Sequence, residues 1–196
     1  MVLTAYMRPP VPSAPTQGVR AGDIAFARME KVNAELVAIT YGALVSQLFK
    51  AKSDPKTIES DLKKIGHNMG VRLIDEFLAK SNQVPCQTFR DVMETLSKIG
   101  VKMFLGIDTE LTELGPKSYV VSFPENPLND FVELPEHLRS ISFSYSSLYC
   151  GIITGALEQL HMQVNCYFIK DVLRGDDINS IKIDLVGIMR PEDDEE

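Results

Sequence analysis

The longest regular hydrophobic pattern in the chain runs from Asp54 to Lys80. Apolar side chains recur there at steps of three and four, the spacing of one face of a helix. Asp54 stands where an N-cap belongs, and Pro55 follows at the first helical position, where a missing N–H costs nothing. The segment predicts one long amphipathic helix, whose apolar stripe is Ile58, Leu62, Ile65, Met69 and Leu73.

Glycines four residues apart occur in two predicted helices, as the pairs Gly66 with Gly70 and Gly151 with Gly155. Each interior glycine costs about 1 kcal/mol relative to alanine, so close packing has to compensate. Such pairs can also join helices inside a membrane, but these two helices are too charged or too short to span one. We therefore expect another backbone to approach closely at each pair.

Two further helices are predicted around this long one. The first is capped by Asp23 and continues to Leu48. The second begins at Thr88, whose partner Asp91 three residues later is typical of a capping box, and it ends at Gly100. The short apolar segment 101–106 is either a buried helical turn or a strand.

From Ile107 onward the pattern changes to that of strands. Residues 111–123 predict a hairpin with its turn at Gly115 and Pro116, residues 148–160 predict a helix, and residues 164–173 and 178–189 predict a second hairpin. The order of helices, hairpin, helix and hairpin favours an α+β fold with an antiparallel sheet.

Composition divides the chain into three parts. Residues 1–22 are expected to be a disordered arm, because Pro9, Pro10, Pro12 and Pro15 forbid regular structure. Residues 23–189 are expected to form a single α+β domain, and residues 190–196 an acidic tail. The net charge is −7, and five acidic residues lie in 192–196, so the body carries about −2. A body without a basic surface argues against nucleic-acid binding.

The three cysteines lie far apart and are odd in number, which is not a disulfide framework. Residues 1–15 lack the apolar segment of a secretory signal, and no apolar run approaches the length of a membrane span. We therefore expect a cytosolic protein without a transmembrane segment. Membrane contact would be peripheral, through a partner, a surface or an acylated cysteine.

The sequence carries no recognisable catalytic or metal-binding pattern. His67, His137 and His161 have no metal-ligand spacing, so no metal is expected. No Gly-x-Ser-x-Gly segment or Cys–His pairing is present, and the serines at 144, 146 and 147 are better explained as helix caps. We expect no catalytic residues and no enzyme, with an uncharacterised hydrolase as a disfavoured alternative.

Cys86 has a more suggestive position than the other two cysteines. It precedes the predicted N-cap by one or two residues, where the helix dipole favours a thiolate, and Arg90 follows closely. The alternative is a small buried hydrophobic residue. For Cys150 and Cys166, core packing is the better interpretation.

Several blocks of sequence together resemble one family, the small subunits of the trafficking protein particle (TRAPP) complex, and in particular its subunit 3 branch. The resemblance covers about residues 35–189. Among the blocks, the run that ends at Pro135 is highly specific in combination with the blocks that begin at Thr40 and Gly66. The blocks are Thr40-Tyr41-Gly42-Ala43-Leu44-Val45, Gly66 with Gly70-Val71-Arg72-Leu73-Ile74, Ser81-Asn82 with Cys86, Cys150-Gly151 with Gly155-Ala156-Leu157-Glu158, and Asn126-Pro127-Leu128 with Asp130-Phe131-Val132-Glu133-Leu134-Pro135.

This resemblance implies a helical layer on a twisted antiparallel sheet, and dimerisation through the first two long helices. The partners would be a second copy and other TRAPP small subunits. The function would be that of a core subunit of a vesicle-tethering complex in ER-to-Golgi transport, peripheral at the cis side of the Golgi apparatus and at the endoplasmic reticulum. The assembly would promote nucleotide exchange on a Rab-type GTPase, and the isolated subunit would be no enzyme.

The resemblance also places the family's acylated cysteine at Cys86, with its palmitoyl chain inside a hydrophobic channel. Burying about 16 carbons offers on the order of 10 kcal/mol. A lipid-binding module that holds a free fatty acid is the alternative. Pro85 before the cysteine and the acidic tail are departures from the family's pattern. The channel is expected to be lined by Val92, Met93, Leu96, Met103 and Leu105.

Overall fold

The computed structural model describes residues 17–52, 54–81, 86–141 and 143–189. The helices are α1 Gln17–Arg28, α2 Ala34–Ala51, α3 Pro55–Ser81, α4 Phe89–Thr95, a π-helical segment Leu96–Gly100, α5 Val101–Leu105, α6 Glu136–Ser140 and α7 Ser147–Glu158, with 3₁₀ turns at Pro127–Asn129 and Val172–Arg174. The strands are β1 Glu110–Gly115, β2 Ser118–Phe123, β3 Met162–Lys170 and β4 Asn179–Ile188.

The four strands form one antiparallel sheet in the order β1-β2-β4-β3. Ile183 in the middle of β4 pairs with Tyr119 on one side and Cys166 on the other. These three side chains are buried in the main core together with residues of α3 and α7. The alternate positions Tyr167, Lys182 and Asp184 point away from that core. The predicted α+β arrangement of helices on an antiparallel sheet is therefore confirmed.

The two glycine pairs face each other across the contact between α3 and α7. A Cβ atom at Gly66 would lie 2.1 Å from the carbonyl oxygen of Leu148, and one at Gly151 would lie 2.1 Å from that of Lys63. The buried line of α3 accordingly runs through its glycines, as Ile58, Leu62, Gly66, Gly70 and Ile74. The predicted close approach is confirmed, whereas Met69 of the predicted stripe is exposed.

The N-terminal ends of α3 and α4 are built as predicted. The N–H of Thr57 donates to Asp54 Oδ2 over 3.1 Å, and Thr88 and Asp91 form a complete capping box. The end of the second helix is different from the prediction. The chain continues through Gly100 as a π-helical segment and α5, and it ends at Gly106, whose φ is 72°. A left-handed residue at the C-terminus is what favours glycine there.

The predicted first helix is in fact two helices. Asp23 lies inside α1 rather than at its start, and α2 has its own N-cap, Asn33, whose Oδ1 accepts the N–H of Leu36 over 2.9 Å. Residues 17–22 of the expected arm are helical, because α1 begins at Gln17, two residues after Pro15. The rest of the arm and the acidic tail lie outside the described residues, as does Pro85.

A buried polar network joins the 3₁₀ turn at residues 127–129 to the start of α7. Asn126 Nδ2 donates to Ser146 Oγ over 2.8 Å, and the hydroxyl of Tyr149 donates to Asn126 Oδ1 over 3.2 Å. Ser146 occupies the N-cap position of α7 but makes no capping hydrogen bond. The expectation that this serine caps the helix is wrong, because its hydroxyl is used by the network instead.

Candidate functional site

Of the three cysteines, all within the described residues, Cys86 alone is not buried. It lies two residues before Thr88, the N-cap of α4, and packs against the main hydrophobic core. Its Sγ is 3.4 Å from the hydroxyl of Thr95, with either atom able to donate. The chain before the helix therefore runs back beside α4, which brings the thiol to the far end of that helix. Sequence spacing gave no signal for this contact with Thr95.

Four of the five predicted channel residues belong to the same core as Cys86. Val92 and Met93 are buried in it, and Leu96 and Leu105 are half-buried against it. Met103 is different, because it lies in a second, smaller cluster with Ala25 and Ile99. Ile99 and Met103 are four residues apart, so they share the side of the helix that α1 covers.

The charged neighbour suggested by sequence is directed elsewhere. Arg90 Nε donates to Glu94 Oε1 over 3.2 Å, and Arg90 Nη1 lies 3.5 Å from Glu113 Oε2. The guanidinium therefore pairs with two carboxylates at the surface.

The other two thiols are held in the core, as expected. Burial raises the pKa of the Cys166 thiol, and its hydrogen bond with Cys150 acts in the same direction. The Cys166 thiol is therefore held in its neutral form, while Cys86 is the thiol that a modifying reagent can approach.

A second feature is the apolar outer face of α2. No charged residue occurs from Leu36 to Phe49. One side of the helix, at Ala38, Tyr41 and Val45, is buried, and the hydroxyl of Tyr41 donates to the carbonyl of Tyr145. The opposite side is open: Leu36 and Ile39 are 62% and 60% exposed.

This arrangement leaves apolar surface in water, which monomeric proteins seldom present over a whole helix face. On α3, Met69 and Leu78 are also exposed. A helix that is apolar all round is normally buried on all sides. The open face of α2 therefore has the apolar, uncharged character of surfaces that protein–protein interfaces bury.

The described residues offer neither a metal site nor a membrane-spanning helix. They contain no group of three or more His, Cys, Asp or Glu side chains able to hold a metal ion. His67 instead pairs with Glu158 across the contact between α3 and α7. None of the helices in the described part of the chain is both long enough and apolar enough to cross a membrane.

The fold and these two features define a class: an α+β domain with helices covering one face of an antiparallel sheet, and with one apolar helix whose outer face is exposed. The family model for transport protein particle (TRAPP) components matches residues 37–184. The chain belongs to this family.

Its similarity to individual relatives extends over most of the chain. It is 39% identical over 175 residues to the transport protein particle subunit bet3 of Schizosaccharomyces pombe, covering 88% of this chain and 94% of that one. It is 40% identical over 172 residues to the trafficking protein particle complex subunit 3 of Dictyostelium discoideum, covering 87% and 92%. These relatives are subunits of a trafficking complex.

One solved structure agrees with this assignment, and a second shares the fold. A trafficking protein particle complex subunit 3 from Naegleria fowleri, covalently bound to palmitic acid, is 45% identical with a TM-score of 0.79, covering 82% of this chain and 99% of that one. An H-NOX protein from S. oneidensis matches with a TM-score of 0.52 at 10% identity, over 81% and 78% of the two chains. At that identity the second likeness shows the fold alone.

Proposed function

We propose that this chain is a core structural subunit of a vesicle-tethering complex of the TRAPP type, acting in ER-to-Golgi transport at the cytoplasmic face of the endoplasmic reticulum and the cis-Golgi. The assembled complex, rather than the chain alone, promotes nucleotide exchange on a Rab-type GTPase. The observation that carries the proposal is the open apolar face of α2 in a chain that belongs to this family. Such a face is covered when subunits assemble.

The dimer contact in this proposal is formed by α2 and α3. The described contacts of α2 hold its inner side through Ala38, Tyr41 and Val45, so covering its outer side requires no change in the fold. The exposed Met69 and Leu78 extend the apolar surface onto α3. A second copy or another small subunit would bury these side chains, at about 25 cal/mol for each Å² of apolar surface removed from water.

To test this proposal, the tagged chain is purified together with its partners from the cells that make it. The release of labelled GDP from a Rab-type GTPase is then measured with the purified assembly and with the isolated chain. We expect other TRAPP subunits to co-purify, and the assembly to accelerate GDP release while the isolated chain does not. A monomer that carries no such subunits would overturn the proposal. Acceleration by the isolated chain would overturn the assignment as a non-enzymatic subunit.

We further propose that Cys86 carries a thioester-linked palmitoyl group, with the chain held among Val92, Met93, Leu96 and Leu105. Support comes from the position of Cys86 against the core, and from the relative whose solved structure holds palmitic acid covalently. The group would shield its hydrocarbon from water inside the protein. Met103 is left out of this proposal because it lies in the second cluster.

Intact mass separates covalent from non-covalent lipid. Protein made in a eukaryotic host is measured before and after hydroxylamine, which cleaves thioesters. We expect a loss of one palmitoyl group, absent in Cys86→Ser and retained in Cys150→Ser, the same thiol-to-hydroxyl change at a buried position. Fatty acid released on denaturation alone, with no change in mass on hydroxylamine treatment, would instead support the lipid-binding alternative.

A further inference from the structure

The helix α1 is seated on the rest of the protein through small residues. Gly22 and Ala25 are buried, and a Cβ atom at Gly22 would lie 2.4 Å from the carbonyl oxygen of Lys98 in the π-helical segment. Two backbones therefore approach closely at this point. A larger residue at position 22 would therefore displace α1 from the π-helical segment.

The surface beneath α1 is made of large apolar side chains. Ile99 and Met103 are buried under the helix, and Phe77 and Phe104 pack against them half-buried. We call these four residues the α1 groove. The groove forms its own cluster, separate from the main core. Without α1, its large side chains would face water.

The contact of α1 with the groove is made mainly by small side chains, with Phe26 packed beside it against Gly106. The apolar side chains that it contributes to the cluster are Ala21, Ala25 and Met29. Its described ion pair to the groove's rim joins Asp23 Oδ1 to Lys102 Nζ over 3.8 Å, and such an exposed pair contributes little. A helix of 12 residues is marginal on its own in water. The docking of α1 therefore belongs to the low-stability end of the structure.

We propose that the α1 groove is a helix-docking site, which α1 fills within its own chain and which an amphipathic helix of a partner protein can fill in its place. The partner helix presents Ala or Gly at positions three or four apart toward the groove. It also carries an acidic side chain toward Lys102, as α1 does with Asp23. This proposal does not rest on Cys86 or on the open face of α2.

The close approach at Gly22 favours a helix over a lipid as the occupant. The carbonyl of Lys98 meets the backbone of the seated helix rather than the end of a flexible side chain. Only a rigid element with small side chains uses such a contact well, as in helix-in-groove recognition. The cation of Lys102, which also pairs with Asp108 over 2.8 Å, adds a preference for an acidic partner.

The experiment compares two full-length variants with the same substitution on the two sides of α1. Ala25→Leu adds bulk at the buried side and undocks the helix, whereas Ala27→Leu adds it at an exposed position. The probe is a fluorescein-labelled synthetic peptide of residues 17–31. We expect the peptide to bind Ala25→Leu about tenfold more tightly than the wild type or Ala27→Leu, whose grooves are occupied. The same peptide carrying Gly22→Leu should not bind.

Hydrogen exchange of the α1 amides shows whether the helix has been released. Exchange about tenfold faster in Ala25→Leu alone supports the proposal; equal protection in both variants overturns it. Released α1 with no peptide binding also overturns it. If two copies form a dimer in which each inserts its α1 into the groove of the other, the occupant is a second copy of this chain. That result would overturn the proposal that a partner protein supplies the helix.

A second variant guards against misfolding of Ala25→Leu. Asp23→Lys changes an exposed residue and places a like charge beside Lys102 without altering the packing. We expect it to release α1 and admit the peptide to a smaller extent. Peptide binding to Asp23→Lys that is no stronger than to the wild type, despite faster α1 exchange, overturns the proposal in the same way.

Discussion

At the scale of single residues, Asp171 shows how burial sets the behaviour of a charged group. It lies in the turn between β3 and β4, where its Oδ1 accepts the N–H of Leu173 over 3.0 Å. Its Oδ2 is buried and has no hydrogen-bond partner among the described residues. Burial raises the pKa of the Asp171 carboxyl, and the Leu173 N–H and Arg174 oppose this shift. The folded protein therefore favours the protonated carboxyl.

The first prediction concerns stability and pH at this residue. Because the pKa is raised on folding, the stability associated with Asp171 is present below the unfolded pKa and is lost as pH rises through the folded pKa. We expect Asp171→Asn to gain stability relative to the wild type over that range, since the amide keeps the acceptor and removes the charge. Chemical denaturation between about pH 3 and pH 7 measures this difference.

Asp177 in the same turn provides the control. Its carboxylate accepts a hydrogen bond from Lys170 over 3.0 Å, which lowers the pKa of Asp177. Its contribution is lost as pH falls, so Asp177→Asn should shift the pH dependence in the opposite direction. If the change in the free energy of unfolding varied with pH in the same direction for both variants, the role of burial at Asp171 would be contradicted.

At the scale of elements, the crossing of α3 and α7 organises the helical layer. Gly70 faces the carbonyl of Ile152, and Gly155 faces that of His67, so the two backbones approach closely at both glycines. The cost of glycine in a helix is offset by this close approach. The pair then places the inner sides of both helices against the sheet residues of the main core.

The second prediction tests that crossing with one methyl group. Gly66→Ala would place its Cβ 2.1 Å from the Leu148 carbonyl oxygen, so the helices must separate. We expect the free energy of unfolding to fall by about 3 kcal/mol. Gly42→Ala in α2 is the matched control, because its Cβ would meet Tyr145 Oη at an ordinary 3.5 Å. That variant should be unchanged or more stable by up to about 1 kcal/mol. Equal losses in urea denaturation would refute the packing argument.

At the scale of the whole molecule, the distribution of exposed apolar residues distinguishes one surface from the rest. The uncharged outer side of α2 exposes Leu36, Val37 and Ile39 within one turn. The strands also expose apolar residues such as Val186, but there they lie among charged groups: Ser118 Oγ donates to Asp184 Oδ1 over 2.6 Å. The proposed assembly through α2 would therefore cover apolar surface without desolvating charged groups.

The third prediction is that a charge on this face disrupts assembly. Ile39→Glu should raise the dissociation constant of the dimer, or of the complex with a partner subunit, at least about tenfold, or about 1.4 kcal/mol. Leu114→Glu is the control, since Leu114 is similarly exposed but lies on β1. Sedimentation velocity at several concentrations measures both variants. A wild-type chain that stays monomeric and binds no other subunit would contradict the prediction, as would equal effects of both changes.

Much of the local structure could be predicted from sequence because its causes are local. The caps at Asp54 and Thr88, the strand segments and the helical stretch of α3 depend on residues within one or two turns. The division between α1 and α2 was missed, because Asn33 was not recognised as a second cap. The predicted helix end at Gly100 was wrong, because the chain continues as a helix through this residue. Tertiary packing can keep a glycine inside a helix despite its low helix propensity.

The candidate site around Cys86 stays a prediction, and the structure adds the contacts of its residues. Cys86 was identified from its place before a helix, and its acylation stays a prediction. Met103 was grouped with it by nearness in sequence, but Met103 lies under α1 together with Ile99, four residues before it. The contact of Cys86 with Thr95 arises because the chain doubles back, which no periodic pattern encodes.

By itself the sequence determined the fold class, the glycine pairs and a helix without a charged residue from Leu36 to Phe49. It could do so because periodicity, capping and local composition are properties of neighbouring residues. The tertiary structure decided which backbones the glycines meet, which side of α2 stays open, and which side chains share a cluster. Those outcomes depend on contacts between segments far apart in the chain, and packing selects them only when the whole domain has formed.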